Sequence, residues 1–111
     1  MADRYEVRIK VISQKGFCTA GHEVGDEWFI QHDTPPGLCL WAFNAMFPDC
    51  RVLMFGGEFT PSPATPAPDT HHVTCPDGKN PVTFEIKRMG KWVNPRRNPY
   101  SRPPEETADP E

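Results

Sequence analysis

The stretch Tyr5-Glu-Val-Arg-Ile-Lys-Val11 decides the fold that we expect for this chain. Its apolar side chains alternate with charged ones, which is the period-two pattern of a strand with one buried face. The same alternation returns at Val82-Thr-Phe-Glu-Ile86, and the shorter stretch Asp26–Ile30 also has strand character. The sequence therefore predicts a sheet that buries one of its faces.

Leu38–Phe47 predicts the only substantial helix. Thr34 can cap the free amides of its first turn, and Pro35 suits the first helical position because proline has no N–H to satisfy. Every residue from Leu38 to Phe47 is apolar or cysteine except Asn44, so we expect the helix to be enclosed by the sheet or by a partner chain. Pro48 is expected to end it.

Two further strands and two proline-rich segments complete the expected plan. Arg51–Phe55 predicts a buried strand, and His71–Cys75 predicts a short strand that can form a hairpin with the last one. Thr60–Asp69 contains four prolines and is expected to be an exposed, extended loop, whereas residues 92–111 are expected to be disordered. We therefore predict one α+β domain over residues 1–91, in which a small mixed or antiparallel sheet of about four to five strands encloses one apolar helix.

The charge and composition of the chain exclude several classes of protein. With 15 acidic against 12 basic residues and a net charge of −3, the 111-residue chain lacks the basic field that sequence-independent nucleic-acid binding needs. Its first residues show no signal-peptide pattern, and no apolar run approaches the roughly 18 to 20 residues that span a bilayer. We therefore expect a soluble cytoplasmic protein without nucleic-acid or membrane partners, in which the four cysteines stay reduced.

Cys18, His22, Cys39 and Cys75 form the strongest candidate site. Thiolate and imidazole are the ligands that zinc, iron and iron–sulfur clusters prefer, and a core this small often relies on a metal or on oligomerisation. The chain has no Cys-x-x-Cys pair, so these residues can converge only through the fold. Scattered ligands are typical of a cluster, a catalytic site or a site shared between chains. The alternative is that Cys39 and Cys75 are ordinary buried apolar residues.

Position distinguishes the cysteines from one another. Cys39 falls near the first turn of the predicted helix, where free amides and the helix dipole stabilise a thiolate, which is both a metal ligand and a nucleophile. Cys50 follows Pro48 and has no second feature beside it, so we interpret it as structural. His22 is either a ligand or general base, or a loop residue bonded to the backbone.

Glu58 is the carboxylate of greatest interest. It follows the Gly56-Gly57 pair, which permits a sharp turn or a close backbone approach, and it lies between two phenylalanines. A partly desolvated carboxylate there can act as a general acid, or it can simply cap the turn. The catalytic candidates are therefore Cys39, His22 and Glu58. Four large aromatic residues are expected to form the core rather than a ligand pocket: Trp28, Trp41, Phe43 and Phe47.

Four motifs in order resemble an uncharacterised family of small bacterial and archaeal proteins, roughly 85 to 100 residues long and thus within the range of a single domain. They are Cys18-Thr-Ala-Gly-His-Glu-Val-Gly-Asp26, Pro35-Pro-Gly-Leu-Cys39-Leu-Trp-Ala42, Phe55-Gly-Gly-Glu-Phe59 and Cys75-Pro-Asp77. The resemblance implies that Cys18, His22, Cys39, Cys75, Gly57 and Glu58 occupy motif positions and that Cys50 does not. Leu40 stands where many relatives carry proline, and the segment at residues 60–69 and the tail after Lys91 also depart from the family. The family has no established reaction.

These observations predict a small metalloprotein that binds zinc, iron or an iron–sulfur cluster through its cysteines, with His22 or an external ligand in the fourth position. One alternative is a thiol-based enzyme or redox protein, with Cys39 as nucleophile and a second cysteine resolving it. The lack of a Cys-x-x-Cys pair argues against a thioredoxin-like mechanism. The other alternative is a non-enzymatic binding module whose apolar helix lies at the interface of a homodimer.

Overall fold

The fold is an antiparallel sheet with one helix packed on a face, an α+β arrangement as predicted. The computed structural model describes residues 4–31 and 33–91, so the predicted disorder of residues 92–111 lies outside the described residues. In chain order the elements are β1 (Tyr5–Gln14), β2 (Glu27–Ile30), α1 (Leu40–Met54), β3 (Thr70–Thr74) and β4 (Val82–Lys91). The four-stranded sheet has the order β2-β1-β4-β3.

Two hairpins meet at the centre of the sheet. β1 pairs with β2, β3 pairs with β4, and the long central strands β1 and β4 pair with each other, all antiparallel. Ile9 lies opposite Ile86 in the central pair, and Val11 lies opposite Phe84. These side chains are fully buried against α1. The period-two pattern of β1 and β4 therefore places their apolar residues in one core, as the sequence predicts.

The helix begins at Leu40, two residues after the predicted Leu38, and the predicted cap at Thr34 is wrong. The N-cap is Cys39, which makes no side-chain capping bond, and the first helical hydrogen bond runs from the N–H of Phe43 to the carbonyl of Cys39 at 2.9 Å. Gly37 has a φ of +83°, a left-handed conformation that cannot continue a right-handed helix from Pro35. The Thr34-Pro35 capping signal is overridden by this turn.

The predicted end of the helix at Pro48, and the predicted strand at Arg51–Phe55, are also wrong. α1 continues through Pro48 to Met54. An interior proline costs roughly 3 kcal/mol, but the second half of the helix buries Cys50, Leu53 and Met54 in the core. Burial of each such side chain contributes about 1.5 to 3 kcal/mol, so core packing outweighs the cost of the proline.

The Gly56-Gly57 pair ends the helix with a sharp turn at Gly56 and a close approach of the backbone at Gly57. Gly56 has a φ of +85°, and its N–H donates to Leu53 while that of Gly57 donates to Val52, which is the bonding of a Schellman motif. A Cβ on Gly57 would lie 2.6 Å from Val52 Cγ1. Arg88 of β4 adds a cation here, since its Nη1 donates to the Gly57 carbonyl at 2.6 Å. The helix terminus is thus tied to the sheet.

Among the described residues, the sheet covers one face of α1 and leaves the opposite face exposed. The face of the helix that points away from the sheet exposes large apolar side chains. They belong to Leu40, Trp41, Phe47, Val52 and, at the end of the helix, Phe55. Enclosure by a partner copy, the other expected arrangement, stays a prediction. Within the described part of the chain, no helix is long and apolar enough to cross a membrane.

The proline-rich segment at residues 60–69 is mostly exposed, as predicted, but it is not extended. It turns back on itself through bridges between Ser62 and Thr65 and between Ala67 and Thr70. The carbonyl of Ala64 accepts the N–H of His72 at 2.7 Å, so the segment covers the outer edge of β3 at this residue. A backbone N–H that is already bonded in this way cannot pair with a strand of another chain.

Candidate functional site: a cavity lined by three cysteines

Three of the four cysteines line one cavity of about 480 Å³. Cys18 comes from the loop between β1 and β2, Cys39 from the N-terminus of α1, and Cys75 from the turn between β3 and β4. Antiparallel pairing of β1 with β4 brings these hairpin loops to the same end of the sheet. We name this space the cysteine cavity. Its remaining walls are formed by Thr19, Ala20, Trp41, Pro76, Asp77, Gly78 and Asn80.

His22 lies behind the cavity wall and holds Cys39 in place. Its Nε2 accepts the backbone N–H of Cys39 at 3.0 Å, which satisfies one of the amides at the start of α1. The ring is buried, and it packs edge-on against Trp28 with 4.8 Å between ring centroids. The backbone-bonded interpretation of His22 is therefore the one that the contacts support.

The electrostatics of His22 agree with this role. Burial lowers the pKa of His22 below its ordinary value, and the nearby Asp26 carboxylate offsets part of the shift. Because Nε2 accepts a hydrogen bond, the neutral ring carries its proton on Nδ1. The Nε2 lone pair is therefore already used and does not face the cysteine cavity.

Cys75 is held at the start of a tight turn. Its N–H donates to the carbonyl of Val82 at 2.9 Å, and the N–H of Val82 donates to Cys75 Sγ at 3.3 Å. Asp77 closes the turn by accepting the N–H groups of Lys79 and Asn80 on Oδ1. The bonds from Asn80 and Lys79 hold the pKa of the Asp77 carboxyl below its ordinary value.

The loop that carries Cys18 is tied to the same turn. Asn80 Oδ1 accepts the N–H of Phe17 at 3.0 Å, and the carbonyl of Pro81 accepts the N–H of Lys15 at 3.0 Å. The N–H of Gly21 closes the turn after Cys18 by donating to its carbonyl at 2.9 Å. These bonds hold the loop that carries Cys18 against the turn that carries Cys75.

The other sequence candidates lie elsewhere. Cys50 is fully buried in the core, where burial, helped by the Asp49 carboxylate, raises the pKa of its thiol to about 12. Glu58 is exposed just beyond the C-terminal end of α1, whereas Cys39 is at its N-terminal end. A 15-residue helix is about 22 Å long, so the structure does not bring Glu58 to the cysteine cavity.

His71 and His72 point to opposite faces of β3 and do not line the cavity. His71 Nε2 lies 3.6 Å from Asp49 of α1, and its Nδ1 lies 2.9 Å from Thr65 Oγ1. His72 Nε2 lies 3.1 Å from Glu85 on the opposite face of the sheet. Both histidines therefore join elements of the fold.

Sequence reasoning missed three residues of the cavity wall. Trp41 was expected in the core, but it is 72% exposed and lines the cavity. Asp77 and Asn80 were part of a predicted turn without a role in the site. The signal for both is their position two and five residues after Cys75, in the turn that follows this candidate ligand.

The thiols share a cavity, but they do not converge on a point. In residues 4–31 and 33–91, no group of three or more His, Cys, Asp or Glu side chains is arranged to hold a metal ion. Among these described residues, those that line the cavity also include no lysine, arginine or histidine. Comparisons with models of known protein families, with curated proteins and with solved structures give no match. The functional argument therefore depends on the geometry and charge of this cavity.

Proposed function

We propose that the protein is a small metalloprotein in which Cys18, Cys39 and Cys75 bind zinc, iron or an iron–sulfur cluster. The observation that supports this proposal most is that three thiols, from three segments far apart in the sequence, line one cavity. Soft sulfur ligands favour these metals over magnesium or calcium.

Two features of the cysteine cavity suit sulfur atoms that bind a metal. The N–H of Val82 points at Cys75 Sγ, and such a bond strengthens when the sulfur is negatively charged. Cys39 is the N-cap of α1, where the positive end of the helix dipole stabilises an anion. Hydrogen bonds to ligand sulfurs are also a recognised means of tuning metal–sulfur centres.

The charge of the cavity wall favours a metal over catalysis by free thiolates. Asp77 lines the cavity together with the three cysteines, and within the part of the chain that the structure describes no cationic side chain does. Thiolates in such surroundings need a positive charge to balance them, which a metal supplies. Because Nε2 of His22 already accepts the Cys39 N–H, we assign the fourth position to an external ligand rather than to His22.

Metal analysis of the full chain purified without oxygen tests the proposal. We expect stoichiometric zinc or iron, with thiolate-to-iron charge-transfer absorption if the metal is iron. Cys39→Ser should lose the metal, whereas the matched control Cys50→Ala should keep it, since Cys50 is sealed in the core. Circular dichroism of both variants checks that they fold.

A metal-free protein would contradict the proposal, as would metal content that Cys39→Ser leaves unchanged. In the first case, rapid alkylation of Cys39 near neutral pH would support the thiol-based alternative instead. Uniformly slow alkylation of all four cysteines would leave the non-enzymatic binding module as the remaining interpretation.

A further inference from the structure

Four side chains outside the cysteine cavity form a line of contacts that ends at an exposed hydroxyl group. Ser62 Oγ donates to Thr65 Oγ1 at 3.2 Å, and Thr65 Oγ1 lies 2.9 Å from His71 Nδ1. His71 Nε2 lies 3.6 Å from Asp49 Oδ2. We name these four residues the hydroxyl relay. None of the four lines the cysteine cavity, so the chemistry of the relay is independent of the proposed function.

The protons of the hydroxyl relay take one consistent direction. Because Ser62 donates its own proton to Thr65 Oγ1, the proton of the Thr65 hydroxyl can point at His71 Nδ1. Nδ1 accepts that proton in the neutral ring whose N–H is on Nε2. The Asp49 carboxylate, 3.6 Å from Nε2, favours the same tautomer because it attracts an N–H. Protons can therefore pass in one sense, from Ser62 towards His71.

The proline-rich segment holds the two hydroxyl groups of the relay in contact. Ser62 and Thr65 are the first and last residues of a tight turn, in which the Thr65 N–H donates to the Ser62 carbonyl at 2.9 Å. Pro63 occupies the second position of this turn, where the fixed φ of proline suits a β-turn. Thr65 is 4% exposed, whereas Ser62 is open to solvent. A small molecule therefore meets the relay at Ser62.

The imidazole of the relay is fixed by its neighbours. The ring of Phe59 stacks on that of His71, with 4.6 Å between ring centroids and 21° between ring planes. Phe59 is itself tied to the proline-rich segment, because its N–H donates to the carbonyl of Pro68 at 3.0 Å. Asp49 approaches the Nε2 side of the ring from α1. A base that is already oriented in this way loses little freedom when it takes up a proton.

We propose that Ser62 is a nucleophile that accepts an acyl group from small activated esters, with His71 as the base that acts through Thr65. A hydroxyl nucleophile, a base and a third group that orients the base form the general arrangement for nucleophilic catalysis. In this chain the Thr65 hydroxyl connects the first two groups.

The acyl transfer balances with the ester as the only other reactant. Ser62 Oγ forms a bond to the carbonyl carbon of the ester, and the bond from that carbon to the leaving oxygen breaks. Ser62 gives its proton to Thr65 while Thr65 gives its own to His71 Nδ1, and His71 then supplies a proton to the leaving oxygen. The products are acylated Ser62 and a free alcohol or phenol.

Acylation of the full chain by 4-nitrophenyl acetate tests the proposal without any substitution. Mass spectrometry of proteolytic peptides locates the acetyl group, because thiols and lysines also react with this ester. Ser13 is the internal control, since it is exposed and its hydroxyl contacts no histidine among the described residues. General base catalysis contributes about 10²- to 10⁴-fold, so Ser62 should be acetylated at least about 100-fold faster than Ser13. Equal rates at the two serines would overturn the proposal.

Two substitutions of Thr65 separate the relay from the packing of this side chain. Thr65→Val keeps the shape of the side chain but removes the hydroxyl, so acetylation of Ser62 should slow by at least about 100-fold. Thr65→Ser keeps the hydroxyl and should retain most of the rate. Circular dichroism of both variants checks that they fold. A rate that Thr65→Val leaves unchanged would overturn the proposal.

A solvent isotope effect tests the proton transfer in the unmodified chain. Acetylation of Ser62 should be slower in D₂O than in water, because protons move in the step that forms the acyl bond. A hydroxyl relay that only holds the proline-rich segment in place would not produce this difference. Equal rates in the two solvents would overturn the role of His71 as base.

Discussion

Replacing His22 with leucine removes the group that accepts the Cys39 N–H at 3.0 Å. A buried amide without a partner costs about 1 to 3 kcal/mol, and loss of the ring contacts with Trp28 and Phe84 adds about 0.5 to 1.5 kcal/mol. The free energy of unfolding should therefore fall by about 1.5 to 4.5 kcal/mol. In a domain of this size each kcal/mol changes Tm by about 4 to 8 °C, so His22→Leu should melt at least about 6 °C below the unmodified chain.

Urea unfolding of the metal-free protein, followed by tryptophan fluorescence, measures this loss, since Trp28 packs against the ring of His22. His22→Gln is the matched control, because its side-chain carbonyl can reach the same N–H and accept the bond. We expect glutamine to recover a substantial part of the stability that leucine loses. Equal losses in the two variants would refute the hydrogen bond as the cause, and no loss in either would refute the whole argument.

Three further predictions concern other parts of the molecule. Burial lowers the pKa of His22 in the folded chain, so its contribution to stability should be complete above about pH 6.5 and should decline as the pH falls towards the folded-state pKa. The urea concentration at the midpoint of unfolding should therefore decrease over this pH range, and it should decrease less in His22→Gln. Gly57→Ala should lower the free energy of unfolding by about 1 to 3 kcal/mol, because the added Cβ meets Val52. Gly90→Ala is the control, since a Cβ there meets open space, and thermal melting should show almost no change in its Tm. If the exposed face of α1 forms a homodimer, sedimentation velocity should show a dimer that Phe47→Lys converts to monomer without loss of helical circular dichroism; a monomeric unmodified chain would contradict this prediction.

The strands could be predicted from sequence because their signal is local. Alternation over a few residues in β1 and β4 already determines which side chains face the core. The helix was predicted poorly because the deciding interaction is not local. Pro48 is a strong local signal to stop, and only the position of the sheet beneath Cys50 and Leu53 explains why the helix continues.

The candidate site could likewise be predicted only where its signal is local in the sequence. The residue types indicated which cysteines to consider, and the structure places Cys18, Cys39 and Cys75 on one cavity, while their role as metal ligands stays a prediction. The partner of His22 is 17 residues away in the sequence, so its bond to Cys39 had no sequence signature. Glu58 is a candidate from the sequence because it follows Gly56-Gly57 and lies between two phenylalanines, and this local pattern does not indicate its distance from Cys39.

The strand order also has a consequence for the kinetics of folding. Each hairpin joins strands that are close in sequence, but the central pair places Tyr5 beside Lys91, so it must close a loop of nearly the whole domain. Loop-closure entropy makes such a contact slow to form until other structure shortens the effective loop. The two hairpins and α1 can form independently, and docking of β1 onto β4 is then the step expected to limit the folding rate. The cysteine cavity, whose walls come from both hairpins, is assembled only in that step.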